Sequence, residues 1–544
     1  MQEQTAERPL LTAVDVEPRT DQTTRFARLR DELPLLLIVL SVFLFCVINQ
    51  HSGHDWGDDF SLYLRQAKGI VDGRVGDVLA DNRYTVDHSS WNTFSPYSYP
   101  WGFPLLLAPF VAWRGLDYDF LKIVEAAFFA GFLFVFAQIL RRRVNEVAAA
   151  TIVLLIGLSV PYVSWTDTVL SEFPYLFALA MALWWLDRCR EREQLEGQAL
   201  GPLLLLGFLV GYTYTVRREG LALFVALVAV HLVVIAPRLW AARSQPRRML
   251  RAVRWSRVAT PYLAALGWVA GLQIVLPTVI YQSFPNTGLS QVKPNLIWYR
   301  DILAEQLGLK SVGYPELELL GSGGLARLAL GLFLGLSLVG LVARAIRARA
   351  LDASLIGYLV GVSFIFGITP FHEGRYLFSI TPLMAYFALH GVAVTVELLA
   401  PKRVPRARAG IAAGTAFLLV FTLANGHDLW QRTDVRRAQG EYVIWGPEDP
   451  NATQMFAAVR ATTDDDDIIG FFRARAMNLY SDRRSVQVTS IAHVLERTDF
   501  YVMAKNSTYS QILISDDEAD AAGLRKVWEN AFFTIWATPG ESQP

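Results

Sequence analysis

Apolar segments long enough to cross a membrane constrain this chain more than any other feature of its sequence. About eleven occur, each near the roughly 20 residues that a helix needs to span a bilayer. They lie at 33–48, 118–140, 147–164, 172–187, 202–217, 219–237, 259–282, 324–342, 352–370, 375–398 and 409–426. Because lipid offers backbone polar groups no partner, such segments fold as helices. The sequence therefore predicts an α-helical polytopic membrane protein of about 11 transmembrane helices, with the lipid bilayer as a partner.

The charge balance and the composition exclude several other classes of protein. The 544 residues carry 50 Lys and Arg against 50 Asp and Glu, so there is no net positive charge to attract nucleic acid, and no nucleic-acid partner is expected. A hydrophobic content of 53% is too high for a disordered chain. The two cysteines, Cys46 and Cys189, are too few for a disulfide framework.

Basic residues between the spans predict how the chain crosses the membrane. They cluster at 141–143, 188–192, 243–257, 344–349 and 402–408. All five clusters fall on one side if the spans alternate, and Lys and Arg collect on the cytoplasmic side. We therefore expect a cytoplasmic N-terminus and an extracytoplasmic C-terminus. The preference for Arg over Lys is typical of a GC-rich bacterial genome, and the expected location of the protein is the inner (plasma) membrane.

The positions of the predicted spans divide the chain into three regions. Residues 1–24 are expected to form a disordered cytoplasmic tail, and residues 25–428 a transmembrane domain with a first extracytoplasmic loop at 50–120. Residues 429–544 alternate helical and strand-like segments, which is typical of a small extracytoplasmic α/β domain. Its expected helices lie at 455–460 and 473–480, and its expected strands at 467–472, 485–488, 500–503 and 511–515.

Two adjacent carboxylates, Asp58 and Asp59, stand where the first loop leaves the membrane. From Asp59 onward the residues have helical spacing, which puts Asp59, Tyr63 and Ala67 on one face. Partial burial and a like-charged neighbour both raise a carboxyl pKa, which suits a general base. The alternative is a solvated acidic pair that caps the helix.

Further along the loop, residues 95–110 are rich in aromatic residues and proline, with Tyr99 near the start. This composition is typical of a segment that dips into the headgroup region without spanning it. The alternative is a simple aromatic belt at the membrane interface.

Together these segments resemble the GT-C glycosyltransferases, most of all the protein-mannosyltransferase-like and aminoarabinose-transferase-like members. The first-loop motif Asp59-Phe60-Ser61-Leu62-Tyr63, followed by Ala67, is similar to the acidic motif of that superfamily, although Phe60 stands where Glu is commonest. The Tyr97-Ser98-Tyr99-Pro100 run is similar to the segment that follows the motif there. Further similar motifs are Ser171-Glu172-Phe173-Pro174, Arg217-Arg218-Glu219-Gly220, His372-Glu373-Gly374-Arg375-Tyr376 and, in the C-terminal region, Tyr480-Ser481-Asp482-Arg483.

The resemblance implies a hexosyl- or pentosyltransferase that moves a sugar from a polyprenyl-phosphate-linked donor to an envelope glycan, lipid or protein. Inverting transfer needs one base, for which Asp59 is the match and Asp58 the rival. Arg217, Arg218 and Arg375 are the expected partners of the donor phosphate, because Arg binds phosphate oxygens in a bidentate way. The expected substrate-binding residues are Tyr63, Tyr99, Asp167, Glu172, His372, Glu373 and Tyr376.

Several of these assignments have structural alternatives. Arg217 and Arg218 have the length to reach the headgroups, Arg375 to pair with Glu373, and Asp167 and Glu172 to cap helices. His54 and His372 lack the tight spacing of a zinc site.

No cofactor is required by the sequence, but the acidic loop leaves a divalent cation, Mg or Mn, as an option without assigned ligands. Two other functions remain open: a non-catalytic envelope assembly protein, and a membrane transporter, which predicts inverted repeats and ionisable residues deep in the spans.

Overall fold

The computed structural model describes most of the chain, with gaps between its ranges. The described residues are 25–90, 96–192, 195, 199–244, 253–277, 287–310, 323–347, 350–400, 405–439, 443–506 and 508–540. The expected tail at 1–24 lies outside them, as do residues 278–282 of the seventh predicted span. Parts of three basic clusters, at 245–252, 348–349 and 402–404, and Ser95 of the first loop also lie outside the described residues.

Each predicted span, in its described part, overlaps at least one helix. The helices up to residue 439 are α1 (Arg25–Ile48), α2 (Asp58–Val71), α3 (Val75–His88), α4 (Gly102–Arg114), α5 (Tyr118–Leu140), α6 (Glu146–Gly157), α7 (Val160–Trp165), α8 (Glu172–Glu191), α9 (Gly201–Val216), α10 (Ala222–Ala241), α11 (Trp255–Val275), α12 (Val292–Gln306), α13 (Gly323–Ile346), α14 (Ala350–Ile368), α15 (Thr381–Leu399) and α16 (Arg406–Gln439).

Within the described residues, seven helices are long and apolar enough to cross a membrane: α5, α10 with the short turn before it, α11, α13, α14, α15 and α16. The chain is thus an α-helical, multi-pass membrane protein. Shorter apolar helices include α4, α6 and α9. The single span predicted at 147–164 is two helices, because Pro161, the second residue of α7, has no N–H to continue the hydrogen-bond ladder of α6. Ser159, at the break, donates its hydroxyl to the carbonyl of Gln306 at 2.9 Å.

The first loop folds into the three helices α2, α3 and α4, and α4 packs tightly against α9. A Cβ on Gly102, the first residue of α4, would lie only 2.5 Å from the backbone of Thr215. Gly102 therefore permits a backbone approach that a side chain would block. This approach brings the loop segment before α4, including Tyr99, next to the turn that follows α9.

The C-terminal region contains a five-stranded sheet, which confirms the predicted small domain of helices and strands. Its elements are α17 (Pro450–Thr462), β1 (Ile468–Gly470), α18 (Ala474–Ser481), β2 (Arg484–Val486), α19 (Ile491–Arg497), β3 (Phe500–Ala504), α20 (Asp516–Ala522), β4 (Arg525–Glu529) and β5 (Phe533–Ala537). The strand order is β2-β1-β3-β5-β4. Strands β2, β1 and β3 are parallel, whereas β5 runs antiparallel to both β3 and β4.

The prediction of a strand at 511–515 is wrong. Its Gln511 side chain bonds the backbone of Ala504 instead, with an N–H donated at 2.6 Å and an N–H accepted at 3.1 Å. The strand that pairs with β3 is β5, which was not predicted from the sequence. A turn at Asn530, whose side-chain oxygen accepts from the N–H groups of Phe532 and Phe533, joins β4 to β5.

The sheet domain is anchored to the first loop by one aromatic side chain. Trp56, just before α2, is buried in the core of the domain with ring centroids 5.6 Å from Phe471 and 5.3 Å from Phe472. Arg475 adds a polar tie, donating to the side chain of Asn82 at 2.9 Å and to the carbonyl of Pro96 at 2.7 Å. The domain is therefore fixed over the N-terminal end of α2.

Candidate active site

The two carboxylates of the first loop begin α2 and point to different parts of the molecule. Asp58 and Asp59 occupy the first turn, where free N–H groups favour negative charge. Asp58 faces the sheet domain: it lies 3.3 Å from a guanidinium nitrogen of Arg473 and accepts the N–H of Arg475 at 3.2 Å. Asp59 faces the helical bundle. The pair therefore joins the two parts of the structure.

Asp59 is held by one cation and one phenol. Arg375 donates from Nη2 to Asp59 Oδ2 at 2.8 Å, and Tyr99 donates its hydroxyl to Oδ1 at 2.5 Å. Arg375 lies on the 3-10 helix Gly374–Ser379, directly before α15, and its guanidinium stacks over the ring of Trp165 at 5.2 Å. Both oxygens of Asp59 thus have a donor.

The ion pair extends into a chain of alternating charges. Arg375 Nε lies 3.2 Å from Glu172 Oε1, the same oxygen that contacts Arg217. Arg217 in turn pairs with Glu219 at 2.8 Å. The motifs that contain Asp59, Glu172, Arg217 and Arg375 therefore meet at one place, where the starts of α2 and α8, the end of α9 and the turn before α15 lie side by side.

Aromatic side chains enclose this chain of charges. The rings of Tyr63 and Tyr99 stack with centroids 4.3 Å apart, and the Tyr63 hydroxyl lies 3.0 Å from that of Ser171. The Arg217 guanidinium lies 5.7 Å from the centre of the Tyr376 ring. Such surroundings limit the access of water, so the charges interact more strongly than they would at a surface.

A cavity of about 660 Å³ opens beside the carboxylate pair. Of the predicted residues, Asp58, Asp59, Glu373 and Arg375 line it. Five other predicted residues lie behind the wall of the cavity and contact the lining residues or one another. They are Tyr63, Tyr99, Glu172, Arg217 and Tyr376.

Three predicted residues do not join this cavity. Asp167 pairs with the ammonium of Lys122 at 2.9 Å and with the ring of His51 at 2.5 Å. His372 contacts the side chain of Asn295 at 2.5 Å, and Arg218 lines a separate small cleft of about 30 Å³. Their roles as ligands of the substrate have no geometric support at the cavity.

The pKa values of the two carboxyl groups move in opposite directions: that of Asp58 is raised, as expected, and that of Asp59 is lowered. Burial raises the pKa of Asp58, and the charges of Arg473 and Arg475 offset only part of that rise. Burial acts on Asp59 too, but the charge of Arg375 and the hydroxyl of Tyr99 outweigh it and lower the pKa of Asp59. The expectation that Asp59 has a raised pKa is therefore wrong, because partners distant in sequence dominate over its neighbour.

Sequence reasoning missed the contribution of the C-terminal domain to the cavity, together with the indole of Trp165. Residues of that domain in the lining are Arg473, Arg475, Gln487 and Ser510. A usable signal existed, since Arg473 follows a predicted strand, and ligand-binding residues often follow strands in α/β domains. Within the described ranges, no group of three or more His, Cys, Asp or Glu side chains is arranged to hold a metal ion.

Comparison with solved structures identifies the fold. Over 93% of this chain and 98% of the other, the structure matches ArnT from Cupriavidus metallidurans in the apo state, with a TM-score of 0.52 and 13% identity. ArnT bound to undecaprenyl phosphate matches with a TM-score of 0.50 at 12% identity, over 94% of this chain and 99% of that one.

The oligosaccharyltransferase of Archaeoglobus fulgidus is similar as well. Its apo form matches with a TM-score of 0.53 and 11% identity, over 86% of this chain and 69% of the other. No protein-family model and no curated protein matches the sequence. The chain therefore has the GT-C fold of these membrane enzymes, which confirms the resemblance at the level of fold.

Proposed function

We propose that this protein is a membrane glycosyltransferase that moves a sugar from a polyprenyl-phosphate donor to an acceptor of the cell envelope. The observation that carries the proposal is the contact of Asp59 with Arg375 at the edge of a cavity, in a chain with the GT-C fold. Proteins of this fold bind such carriers: ArnT binds undecaprenyl phosphate, and the archaeal oligosaccharyltransferase AglB binds dolichol-phosphate with an inhibitory peptide.

Arg375 is the proposed ligand of the donor phosphate. It lines the cavity, and it is the only cation of the charge chain that does so among the described residues. The donor is a phosphodiester with one negative charge, and its phosphate gains a second charge when the sugar leaves. A buried guanidinium next to that oxygen stabilises the charge as it develops. Arg217, behind Glu172, supports Arg375 through the shared carboxylate.

Asp59 is the proposed general base. It takes the proton of the acceptor hydroxyl, whose oxygen attacks C1 of the sugar while the bond from C1 to the phosphate oxygen breaks. The configuration at C1 inverts, and the polyprenyl phosphate leaves toward Arg375. A lowered pKa keeps Asp59 ionised at neutral pH. When the donor phosphate takes over contacts of Arg375, the pKa of Asp59 rises and its oxygen becomes a stronger base.

The reaction is proposed for the extracytoplasmic face of the inner membrane. The basic clusters lie at the opposite ends of the spans from Asp59 if the N-terminus is cytoplasmic. In that orientation the cavity and the sheet domain face the envelope, where glycans, lipids and proteins are available as acceptors.

A deletion strain tests the proposal. Mass spectrometry of its envelope glycans, glycolipids and glycoproteins should find one component lacking a sugar, restored by the wild-type gene and not by Asp59→Asn. Full restoration by Asp59→Asn would argue for the assembly role, because a scaffold does not need the base. An unchanged envelope with loss of solute uptake would replace the glycosyltransferase with a transporter.

A further inference from the structure

The sheet domain presents its ligand-binding edge to the cavity. Arg473 follows β1, Gln487 directly follows β2 and Ser510 follows β3, and all three line the cavity. Because β2, β1 and β3 are parallel, these residues lie at one edge, the carboxyl ends of the strands. Open α/β sheets bind ligands at this edge, in the crevice where the strand order reverses, and in the order β2-β1-β3 that crevice lies between β1 and β3.

Arg473 is the cation at this edge with donors to spare. Its guanidinium contacts Asp58 at 3.3 Å, yet 37% of its side chain is exposed against 12% for Asp58. Its buried Nε–H donates to no residue in the described part of the chain. Arginine has five N–H donors in a planar fork, so most of them remain for a ligand in the cavity.

The neighbouring side chains on this edge are fixed. Gln487 donates its side-chain N–H to the carbonyl of Ser510 at 2.9 Å, and its backbone N–H to the hydroxyl of Ser89 at 3.0 Å. Arg475 is held by its hydrogen bonds to Asn82 and Pro96. The edge is therefore rigid around one half-exposed guanidinium, which is the arrangement expected of a preformed anion site.

We propose that this edge is the acceptor-binding wall, and that the acceptor is an anionic saccharide whose phosphate or carboxylate binds Arg473. The inference rests on the proposed function, which assigns the donor phosphate to Arg375, on the side of the cavity formed by the helical bundle. Asp58 and Asp59, adjacent in sequence, lie between the two arginines. An acceptor hydroxyl at Asp59 then places its sugar ring toward Asp58 and its anionic group toward Arg473. Arginine binds carboxylate and phosphate oxygens in a bidentate way.

Binding of small saccharides by the full-length protein in lipid nanodiscs tests this inference. Saturation-transfer NMR would compare glucose, glucose 6-phosphate and glucuronate, with inorganic phosphate as a separate probe. Undecaprenyl phosphate affinity would be measured on the same samples. The variants are Arg473→Gln and Asp58→Asn. The matched control is Arg484→Gln, which changes an arginine of the same domain that pairs with Asp81 and does not line the cavity.

The charged sugars should bind at least about tenfold more tightly than glucose, as expected for charge-assisted hydrogen bonds. Arg473→Gln should remove this preference while retaining the affinity for undecaprenyl phosphate, which also reports that the bundle is folded. Asp58→Asn should retain or strengthen the preference, because it removes a competing carboxylate. Arg484→Gln should behave as the wild type.

Three results would overturn the inference: equal binding of glucose and the charged sugars, a preference that survives Arg473→Gln, or binding of inorganic phosphate with no added affinity from the sugar. Failure of the proposed function gives a different pattern. The wild type would then bind no undecaprenyl phosphate, and the acceptor role would be lost even if charged sugars still bound at Arg473.

Discussion

Arg375 Nη2 lies 2.8 Å from Asp59 Oδ2, although 316 positions separate the two residues in the chain. The proposed ligand of the donor phosphate and the proposed base therefore neutralise each other before any substrate binds. A phosphate that competes for Arg375 loosens its hold on the Asp59 carboxylate. This contact links donor binding to the activation of the base, and the account predicts that the donor binds first.

The first prediction concerns the donor. Arg375→Lys keeps the positive charge that Asp59 and Glu172 require but removes the planar, bidentate fork. The dissociation constant for undecaprenyl phosphate should rise by about 10- to 100-fold, since a hydrogen bond to a charged group contributes roughly 1.5–3 kcal/mol. Lipid-binding measurements in nanodiscs check this. Arg484→Lys is the control, and equal affinity of Arg375→Lys and the wild type would remove Arg375 from the donor site.

The second prediction concerns pH. Because the pKa of Asp59 is lowered, kcat/KM should stay flat from neutral pH down to below the ordinary aspartate value of about 3.9. The stability contributed by the ion pair is present above that ordinary value and is lost as the pH falls through the lowered pKa.

In Arg375→Gln, burial still raises the pKa of Asp59, but the positive charge that lowers it is gone. The acid limb of the pH profile should therefore move to higher pH. The measurement is the pH profile of kcat/KM for both proteins. An acid limb near neutral pH in the wild type would contradict the assignment of Asp59 as the base.

The third prediction concerns Glu172, which is 4% exposed and lies between Arg375 and Arg217. Glu172→Gln leaves two guanidinium groups facing each other without their shared counter-charge. Breaking a buried pair costs about 3–5 kcal/mol when it leaves a charge alone. Because Arg375 keeps Asp59 and Arg217 keeps Glu219, the loss of stability should be smaller than that, but the unfolding temperature should still fall. The control is Glu191→Gln on the same helix, whose pair with Arg142 is more exposed. Similar unfolding temperatures for the two variants would mean that the charge chain adds no stability.

Much of this architecture was predictable from the sequence, because hydropathy identifies segments that lipid forces into helices. Asp59 and Arg375 were also identifiable, since each stands in a recognisable local motif. Their contact was not, because it depends on the packing of α2 against the turn before α15. The position of Arg473 at the cavity was not predictable either, because no residue near it in the sequence indicates that Trp56 anchors the sheet domain over α2. The missed hairpin of β4 and β5 reflects pairing with β3, which is set by tertiary contacts.

The fourth prediction concerns the approach of α4 to α9. A Cβ on Gly102 would meet the Thr215 backbone at 2.5 Å, so Gly102→Val must push the two helices apart and move Tyr99 away from Asp59. Transfer should fall while the protein still inserts. Gly76→Ala on α3 is the control, because a Cβ there meets nothing within 4 Å. Wild-type transfer by Gly102→Val would show that the position of Tyr99 is irrelevant to the reaction.

The most direct measurement compares the transfer rates of Asp59→Asn and Asp58→Asn, using the envelope product identified by its mass in the deletion strain. Asparagine keeps the shape of each side chain and removes the basic oxygen. The account predicts that Asp59→Asn lowers transfer by at least about 10²-fold, with undecaprenyl phosphate still bound, and that Asp58→Asn lowers it less. Near-normal transfer by Asp59→Asn together with loss of transfer by Asp58→Asn would make Asp58 the base, and near-normal transfer by both would contradict the glycosyltransferase account of this site.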